Sequence, residues 1–449
     1  MGRDRESAIM LSDKVRFYKD FTAALIRITY ADICHKVQAF EHRLTYRQSP
    51  SAKNVVVVGG SFSGAFLAQR LASTLPTGYR VVLIEKNSHF NYVFNFPRYS
   101  VLRGREHLAF IPYTNLARNA PPGIFHHVQD TVTQIEGDRI QLKSGNALSF
   151  DYLAIATGTS RGPPARLSSS AKADACTELQ RAQQSLSAAQ KIAVIGGGPV
   201  GVQLATDIKS VYPTKCVSLI HSHDRLLPSF GQRVQDYATK EVKDMGVDVI
   251  LQARPTILKQ LTAEPEANSI RLRFENGREE DFDLVIPCIG QRPNSSFVRS
   301  LAPESISMSS GRLLVKPTLQ LAGERYPNIF ALGDVAETLG PKMARAGISQ
   351  AEVVCKNIVS MIKRRERLKE YVPDPLEGAL KLSLGIKRWV ISYTKSNGRE
   401  ILFDGEDKSV DMDAAQTWKQ LGEDIETATA QDKETGVMRE SLSDKAPKE

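Results

Sequence analysis

The sequence predicts an α/β chain with two parallel-sheet units and a small C-terminal α+β region. Two stretches carry most of that prediction. Asn54-Val55-Val56-Val57-Val58 is a β-branched run suited to a buried strand. Gly59-Gly60-Ser61-Phe62-Ser63-Gly64 follows as a tight turn, and Ala65–Leu71 then reads as a helix. The same plan returns at Ile192–Ile195, Gly196-Gly197-Gly198-Pro199-Val200-Gly201 and Val202–Ser210. Strand, glycine turn and helix form the phosphate-binding start of a βαβ unit, because the helix N-terminus offers N–H groups and a positive dipole end to a pyrophosphate. One such turn is weak evidence. Two make an internal repeat, each copy a Rossmann-like dinucleotide-binding module.

Composition bounds the rest. The chain has 449 residues, 41% of them hydrophobic, enough for two or three globular domains. No window approaches the ~18–20 apolar residues of a membrane-spanning helix. Net charge is +9 with both signs interspersed. The densest basic run, Lys363-Arg364-Arg365-Glu366-Arg367-Leu368-Lys369, reads as a solvated helix end rather than a nucleic-acid patch. Cys34, Cys176, Cys216, Cys288 and Cys355 form no CxxC pair, which argues for a reducing compartment and against a zinc site or a redox-active dithiol. The histidines show no metal spacing, and no metal is expected.

In chain order, residues 1–52 read as an amphipathic helical extension. Leu11, Val15, Tyr18, Phe21, Leu25, Ile28, Ile33, Val37, Phe40 and Leu44 recur at three- and four-residue steps, with Lys14, Arg16, Lys19, Arg27, Lys36 and Arg43 mostly on the other face. Such a helix suits packing on the protein body or a neighbouring subunit, or lying on a membrane surface. A mitochondrial presequence fits less well, because Asp13, Asp20, Asp32 and Glu41 break its acid-poor rule. The Met1-Gly2 start lacks the Ser or Thr at position 6 that myristoylation needs; Glu6 stands there.

Residues 53–162 and 291–372 read as one discontinuous module, with 163–290 as the second. Tyr79–Glu85 ends in a carboxylate where an acid accepts hydrogen bonds from adenosine ribose hydroxyls. The aromatic stretch His89–Arg98 is core in character, but Arg98 offers a guanidinium fork to a pyrophosphate. Strands are expected at Ile124–Gln129, Thr131–Glu136, Arg139–Lys143 and Tyr152–Ala156, then a closing turn at Thr157-Gly158-Thr159 and a crossover with one helix over 162–190. The second module repeats this with strands at Cys216–His221, Val247–Leu251, Ser269–Phe274 and Leu284–Gly290. Its ribose position carries His221, with His223 and Arg225 beyond. An acid there would favour NADH; a His/Arg cluster tolerates or prefers NADPH, and a solvated loop is the plainer alternative. Tyr326–Ala336 is a strand ending in Gly333-Asp334. Pro341-Lys342-Met343-Ala344 opens a helix expected to reach about Glu366, whose N-terminus would stabilise negative charge on a flavin. Residues 373–422 hold strand-like runs and a helix around Trp418, and 423–449 read as a disordered tail.

With both turns and Ala331-Leu332-Gly333-Asp334 in place, the chain resembles two-dinucleotide-domain flavoproteins of the pyridine-nucleotide-disulfide-oxidoreductase superfamily. Within it, the closer likeness is to the apoptosis-inducing-factor-like branch that includes the ferroptosis suppressors, in its fungal form. His89–Arg98, Gly196–Ala205, Tyr212-Pro213, Val217–Ser222, Gly333-Asp334 and Pro341–Ala344 carry it, over about residues 53–420. The resemblance implies FAD in the first module, contacted by Gly59, Gly60, Ser61, Phe62, Ser63, Gly64, Glu85, Arg98, the Val132 backbone, Asp334 and Lys342. It implies NADPH or NADH in the second, at Gly196, Gly198, Gly201, His221 and Arg225. Hydride would pass to the flavin, and electrons to a quinone-like or other small acceptor. The missing cysteine pair after the first helix excludes a disulfide relay, and hydride transfer calls for no acid–base triad. Two residues depart from the pattern: Gln203 stands where many relatives have Glu, and Ser61 replaces the middle glycine of the first turn. A cell-death effector that binds nucleic acid and a biosynthetic tailoring flavoenzyme are the alternatives. The implied location is cytoplasmic, peripheral on mitochondrial or other intracellular membranes.

Overall fold

The computed structural model describes residues 2–160, 162–258, 269–407 and 409–426. Successive side chains of a strand point to opposite faces, and the valine run divides accordingly. Val55 and Val57 join a core shared with the helices Phe62–Ala72 and Ala344–Ile362. Val56 and Val58 join one shared with the antiparallel strands Val132–Glu136, Arg139–Leu142 and Ala147–Ser149. Between these layers lies a five-stranded parallel sheet in the order Ile329–Ala331, Tyr152–Ile155, Lys53–Val58, Tyr79–Glu85, Phe125–Gln129.

The second unit repeats the plan. Its parallel sheet runs Asp248–Ile250, Cys216–Ile220, Lys191–Ile195, Leu284–Pro287. Ile192 and Val194 face the helices Pro199–Val211 and Gln232–Asp244, while Ala193 and Ile195 face the strands Ile270–Arg273 and Glu279–Phe282. The unit is inserted into the first, and Thr159–Ser160 pairs with Arg292–Pro293 where the chain crosses over and returns.

A third sheet, Leu380–Leu384, Arg388–Thr394 and Glu400–Glu406, is antiparallel. One face sends Leu380, Leu382, Leu384, Val390 and Leu402 beneath the second unit's helices. From the last helix, Ala414–Gln420, Trp418 is buried against the first unit and its Nε1 donates to the Leu108 carbonyl at 2.9 Å.

Three expectations change. The opening helix spans Gly2–Thr45, but the apolar stripe is not the face that meets the body. Phe17 packs on Phe403 with centroids 4.9 Å apart, and buried Asp13 accepts from Arg233 at 2.6 Å. Asp20 accepts from the Tyr393 hydroxyl and from Lys395, both at 2.6 Å; those donors hold its carboxyl below the usual range. Farther along, His35 meets Ser73 and Tyr46 donates to the Tyr79 carbonyl. Leu11, Val15, Tyr18, Phe21, Leu25, Ile33, Val37, Phe40 and Leu44 are all exposed, from 43% at Phe21 to 66% at Phe40. Docking by ion pairs leaves no hydrophobic period, so periodicity found the other face.

The helix expected from Pro341 begins at Ala344 and ends at Ile362. Met343 is extended, and Arg364 takes a left-handed φ of 54° that breaks the helix before the basic run is complete. Finally, structure continues past 422, for the Glu423 carboxylate accepts from the Asn115 backbone N–H and side-chain amide. The rest of the tail, 427–449, lies outside the described residues.

Candidate functional site: two dinucleotide turns

The first turn is closed by contacts that only glycine permits. Gly59 has φ 101°, and a Cβ there would stand 2.5 Å from the Ala156 carbonyl oxygen. A Cβ on Gly64 would run into the Gly59 carbonyl, so the helix Phe62–Ala72 sits directly on its own turn. Gly60 is gripped from two sides. Its N–H donates to Glu85 Oε2 at 2.5 Å, and its carbonyl accepts from the Tyr113 hydroxyl at 2.8 Å. Glu85 Oε1 accepts from the backbone and side-chain nitrogens of Asn87 at 2.9 and 2.7 Å. A carboxylate has about four lone-pair directions, so Glu85 keeps capacity for one further donor.

Gly333 and Asp334 return to this turn. Cβ atoms on Gly333 and on Gly347 would both collide with Ser63 Oγ, which is wedged between them at the head of the first helix. The Gly333 N–H donates to Gln350 at 2.7 Å. Val132 opens the strand beyond Asp130, whose N–H donates to the Glu85 carbonyl at 3.0 Å.

The second turn is built the same way. Gly196 has φ 124° against the Cys288 carbonyl, and a Cβ on Gly201 would run into the Gly196 carbonyl. Where Glu85 closes the first turn, His221 closes this one, its ring 2.7 Å from where a Cβ on Gly197 would stand. The ring is buried and its Nε2 has no hydrogen-bond partner among the described residues. Burial, and then the neighbouring His223, lower its pKa. His223 and Arg225 are exposed on the loop beyond, with Arg225 reaching Gln232 and Asp224.

Gly198 and Ser61 occupy the matching position with nearly the same φ, −79° and −80°. A Cβ on Gly198 meets nothing within 4 Å. The fold therefore leaves this position open to a side chain, which Ser61 supplies.

Two expected contacts are corrected. Arg98 is fully buried, and all five of its N–H groups are taken. Nε and Nη2 fork onto Asp207 at 3.1 and 3.0 Å; the others reach the carbonyls of Gly385, Ile386 and Val410 at 2.8–3.2 Å. No donor remains for a pyrophosphate. Lys342 spends its ammonium on Ala336 and on the carbonyl and hydroxyl of Thr338, at 2.9–3.1 Å, and so pins a turn; burial lowers its pKa. Tyr113 and Asp207 escape the sequence reading, one hidden in an aromatic stretch and the other on an apolar helix face. Among the described residues no cluster of His, Cys, Asp or Glu could hold a metal.

Two glycine turns, each under a helix N-terminus and each closed by a residue at the end of the next strand, define a two-dinucleotide oxidoreductase. The cofactors are FAD and NAD(P)H. The chain belongs to the pyridine nucleotide-disulphide oxidoreductase family, whose model matches residues 53–352. It is 34% identical to Fe-regulated protein 8 of Mycosarcoma maydis over 84% of this chain and 96% of that protein. It is 33% identical to the mouse (Mus musculus) ferroptosis suppressor protein 1 over 72% of this chain and 85% of that one. The sulfide:quinone oxidoreductase of Aquifex aeolicus shares the fold at 18% identity, with a TM-score of 0.63 over 82% of this chain and 90% of that chain.

Gly201→Ala should lower stability by about 1–3 kcal/mol, because the helix is forced off its turn, whereas Gly198→Ala should leave it unchanged. Urea denaturation of the two variants measures both.

Proposed function

We propose that residues 53–162 with 291–372 bind FAD and residues 163–290 bind NADPH or NADH. Electrons then pass to a quinone-like or other small lipophilic acceptor reached from a membrane surface. The observation that carries this reading is the asymmetry between two otherwise matching turns, one closed by Glu85 and the other by His221. Glu85 retains a lone pair for a ribose hydroxyl, and the backbone N–H groups at the head of Phe62–Ala72 face the place of a pyrophosphate. His221, kept neutral by burial, puts no negative charge against a 2′-phosphate, and Arg225 and His223 lie on the same loop. NADPH acceptance follows. When bound, FAD supplies two-electron chemistry, taking hydride from the nicotinamide and releasing electrons to the acceptor. The chain's part is to hold both nucleotides in register and, with Gly333 packed against Ser63, to bring the neighbouring Asp334 to the ribityl end.

The opening helix supports the membrane surface. It is fastened to the body by Asp13, Phe17 and Asp20, so its outward apolar stripe has no cover among the described residues. Lys19 and Arg43 are exposed on the same helix, and Lys363 of the basic run lies close enough to His42 to help lower its pKa. An apolar stripe flanked by cations matches the boundary between headgroups and acyl chains. No helix among the described residues is long and apolar enough to cross a membrane. Nucleic-acid binding draws no such support, since Arg271, Arg273 and Arg278 are each paired with carboxylates.

The purified protein should be yellow, and its visible flavin absorbance should bleach anaerobically with NADPH and recover on adding a naphthoquinone. A colourless folded preparation would sink the reading. Ser61→Gly should keep FAD affinity within about tenfold, roughly 1.4 kcal/mol, by equilibrium dialysis. Replacing Leu11, Val15 and Phe40 together by serine should cut flotation with anionic liposomes more than tenfold, since each buried side chain contributes about 1.5–3 kcal/mol. FAD content should not change. Unaltered flotation would rule the helix out.

A further inference from the structure

The buried pair Arg98–Asp207 links the two turns through rigid contacts. Asp207 lies on the helix Pro199–Val211, which is seated on its turn at Gly201, so helix and turn move as one body. Arg98 follows the aromatic stretch whose Phe90, Tyr92 and Phe94 surround Phe62, the first residue of the other helix, with centroids 4.9–6.0 Å away. The same guanidinium ties down the C-terminal sheet through Gly385 and Ile386, and the following segment through Val410. In that segment Met412 takes a left-handed φ of 54° while its sulfur meets Gln203, one turn before Asp207. A non-glycine residue there is strained and persists only where its surroundings hold it.

Stability alone gives little reason for such a pair, because buried ion pairs are often no better than apolar residues of the same volume. Burial pushes the Asp207 carboxyl up against the pull of Arg98. What a bidentate fork does supply is a fixed distance and angle.

We propose that Arg98 and Asp207 are positioning residues for hydride transfer, their ion pair setting the separation of the two dinucleotide turns. In the transfer, hydride leaves C4 of the dihydronicotinamide with its bonding electrons and bonds to N5 of the isoalloxazine. The nicotinamide is oxidised, the flavin is reduced, and no proton is needed at that step. Reaction requires the two atoms about 3–3.5 Å apart, and a 1 Å misplacement can cost about a hundredfold. The inference rests on the assignment of FAD to the first turn and NAD(P)H to the second.

Asp207→Glu tests it, because the charge pair is kept while its span grows by one methylene. The variant should hold its FAD and bind NADP⁺ within threefold of wild type by titration, yet its single-turnover flavin reduction by NADPH should slow about a hundredfold. Isosteric Asp207→Asn gives a folded comparison with an intermediate loss, and Arg98→Lys, which lacks the fork, should lose as much as Asp207→Glu. A reduction rate within threefold of wild type in a folded, FAD-loaded Asp207→Glu protein would overturn the proposal. So would a rate loss matched by an equal loss of NADP⁺ affinity. A readout independent of turnover is the distance between nitroxides on the exposed Cys216 and on a cysteine at Ser144, with Cys34 and Cys288 replaced by serine. Its distribution should shift in Asp207→Glu, and an unchanged distribution would also overturn the proposal. If wild-type flavin is not reduced by NADPH, the functional reading fails while the distance measurement still decides this inference.

Discussion

One guanidinium holds three parts of this protein together. Arg98 leaves the first unit, forks onto Asp207 of the second, and gives its remaining N–H groups to carbonyls of the C-terminal region. The cost of stripping water from both charges is recovered only if every donor is satisfied, and here every donor is. The arrangement therefore has little tolerance for sliding or rotation. Three sheets that could each pack in several ways are left with one mutual orientation.

The repeat shows how one local design is bent to two uses. Gly59 with Gly64, and Gly196 with Gly201, make the same collision-limited turn, each helix pressed on the carbonyl that precedes it. What differs is the residue that closes the turn. A carboxylate accepts the backbone N–H of Gly60 and grips the loop by hydrogen bonds. The imidazole of His221 instead fills the space under Gly197 by packing its ring carbons there. Both turns are also held through the carbonyl of their second glycine, by the Tyr113 hydroxyl at Gly60 and by the Leu227 N–H at Gly197. Ser61 and Gly198, alike in backbone, then differ only in what they place over the open side.

Much of this was legible in the residues themselves. Period-2 valines, glycine turns and an acid at strand end are local signals, and the parallel sheets and inserted second unit follow from them. Arg98 was misread for a physical reason. A guanidinium fork fits phosphate and carboxylate equally well, and nothing near residue 98 announces that Asp207 will arrive beside it. Lys342 fails similarly, since its partners are carbonyls, which every residue carries. The opening helix is legible as a helix, and its sequence leaves open whether the body, a neighbouring subunit or a membrane surface meets its stripe. Its docking face depends on Asp13, Phe17 and Asp20 meeting Arg233, Phe403 and Lys395, all remote in sequence.

The insertion of one unit within the other has a consequence for how the chain is made. The strand Tyr152–Ile155 gains its outer neighbour only when Ile329–Ala331 has left the ribosome. About 170 residues separate them, which at ~5–20 residues per second is roughly 10–35 s of synthesis. Through that interval the first sheet carries a bare edge and lacks the helix Ala344–Ile362 over half its core. The second unit's parallel sheet is contiguous and complete by Pro287, so that sheet can form first, although the core under its helices is finished only by residues 380–402. The unit that begins earlier in the chain thus completes its sheet later, around a neighbouring sheet already formed, and its exposed edge is the natural place for a chaperone to act.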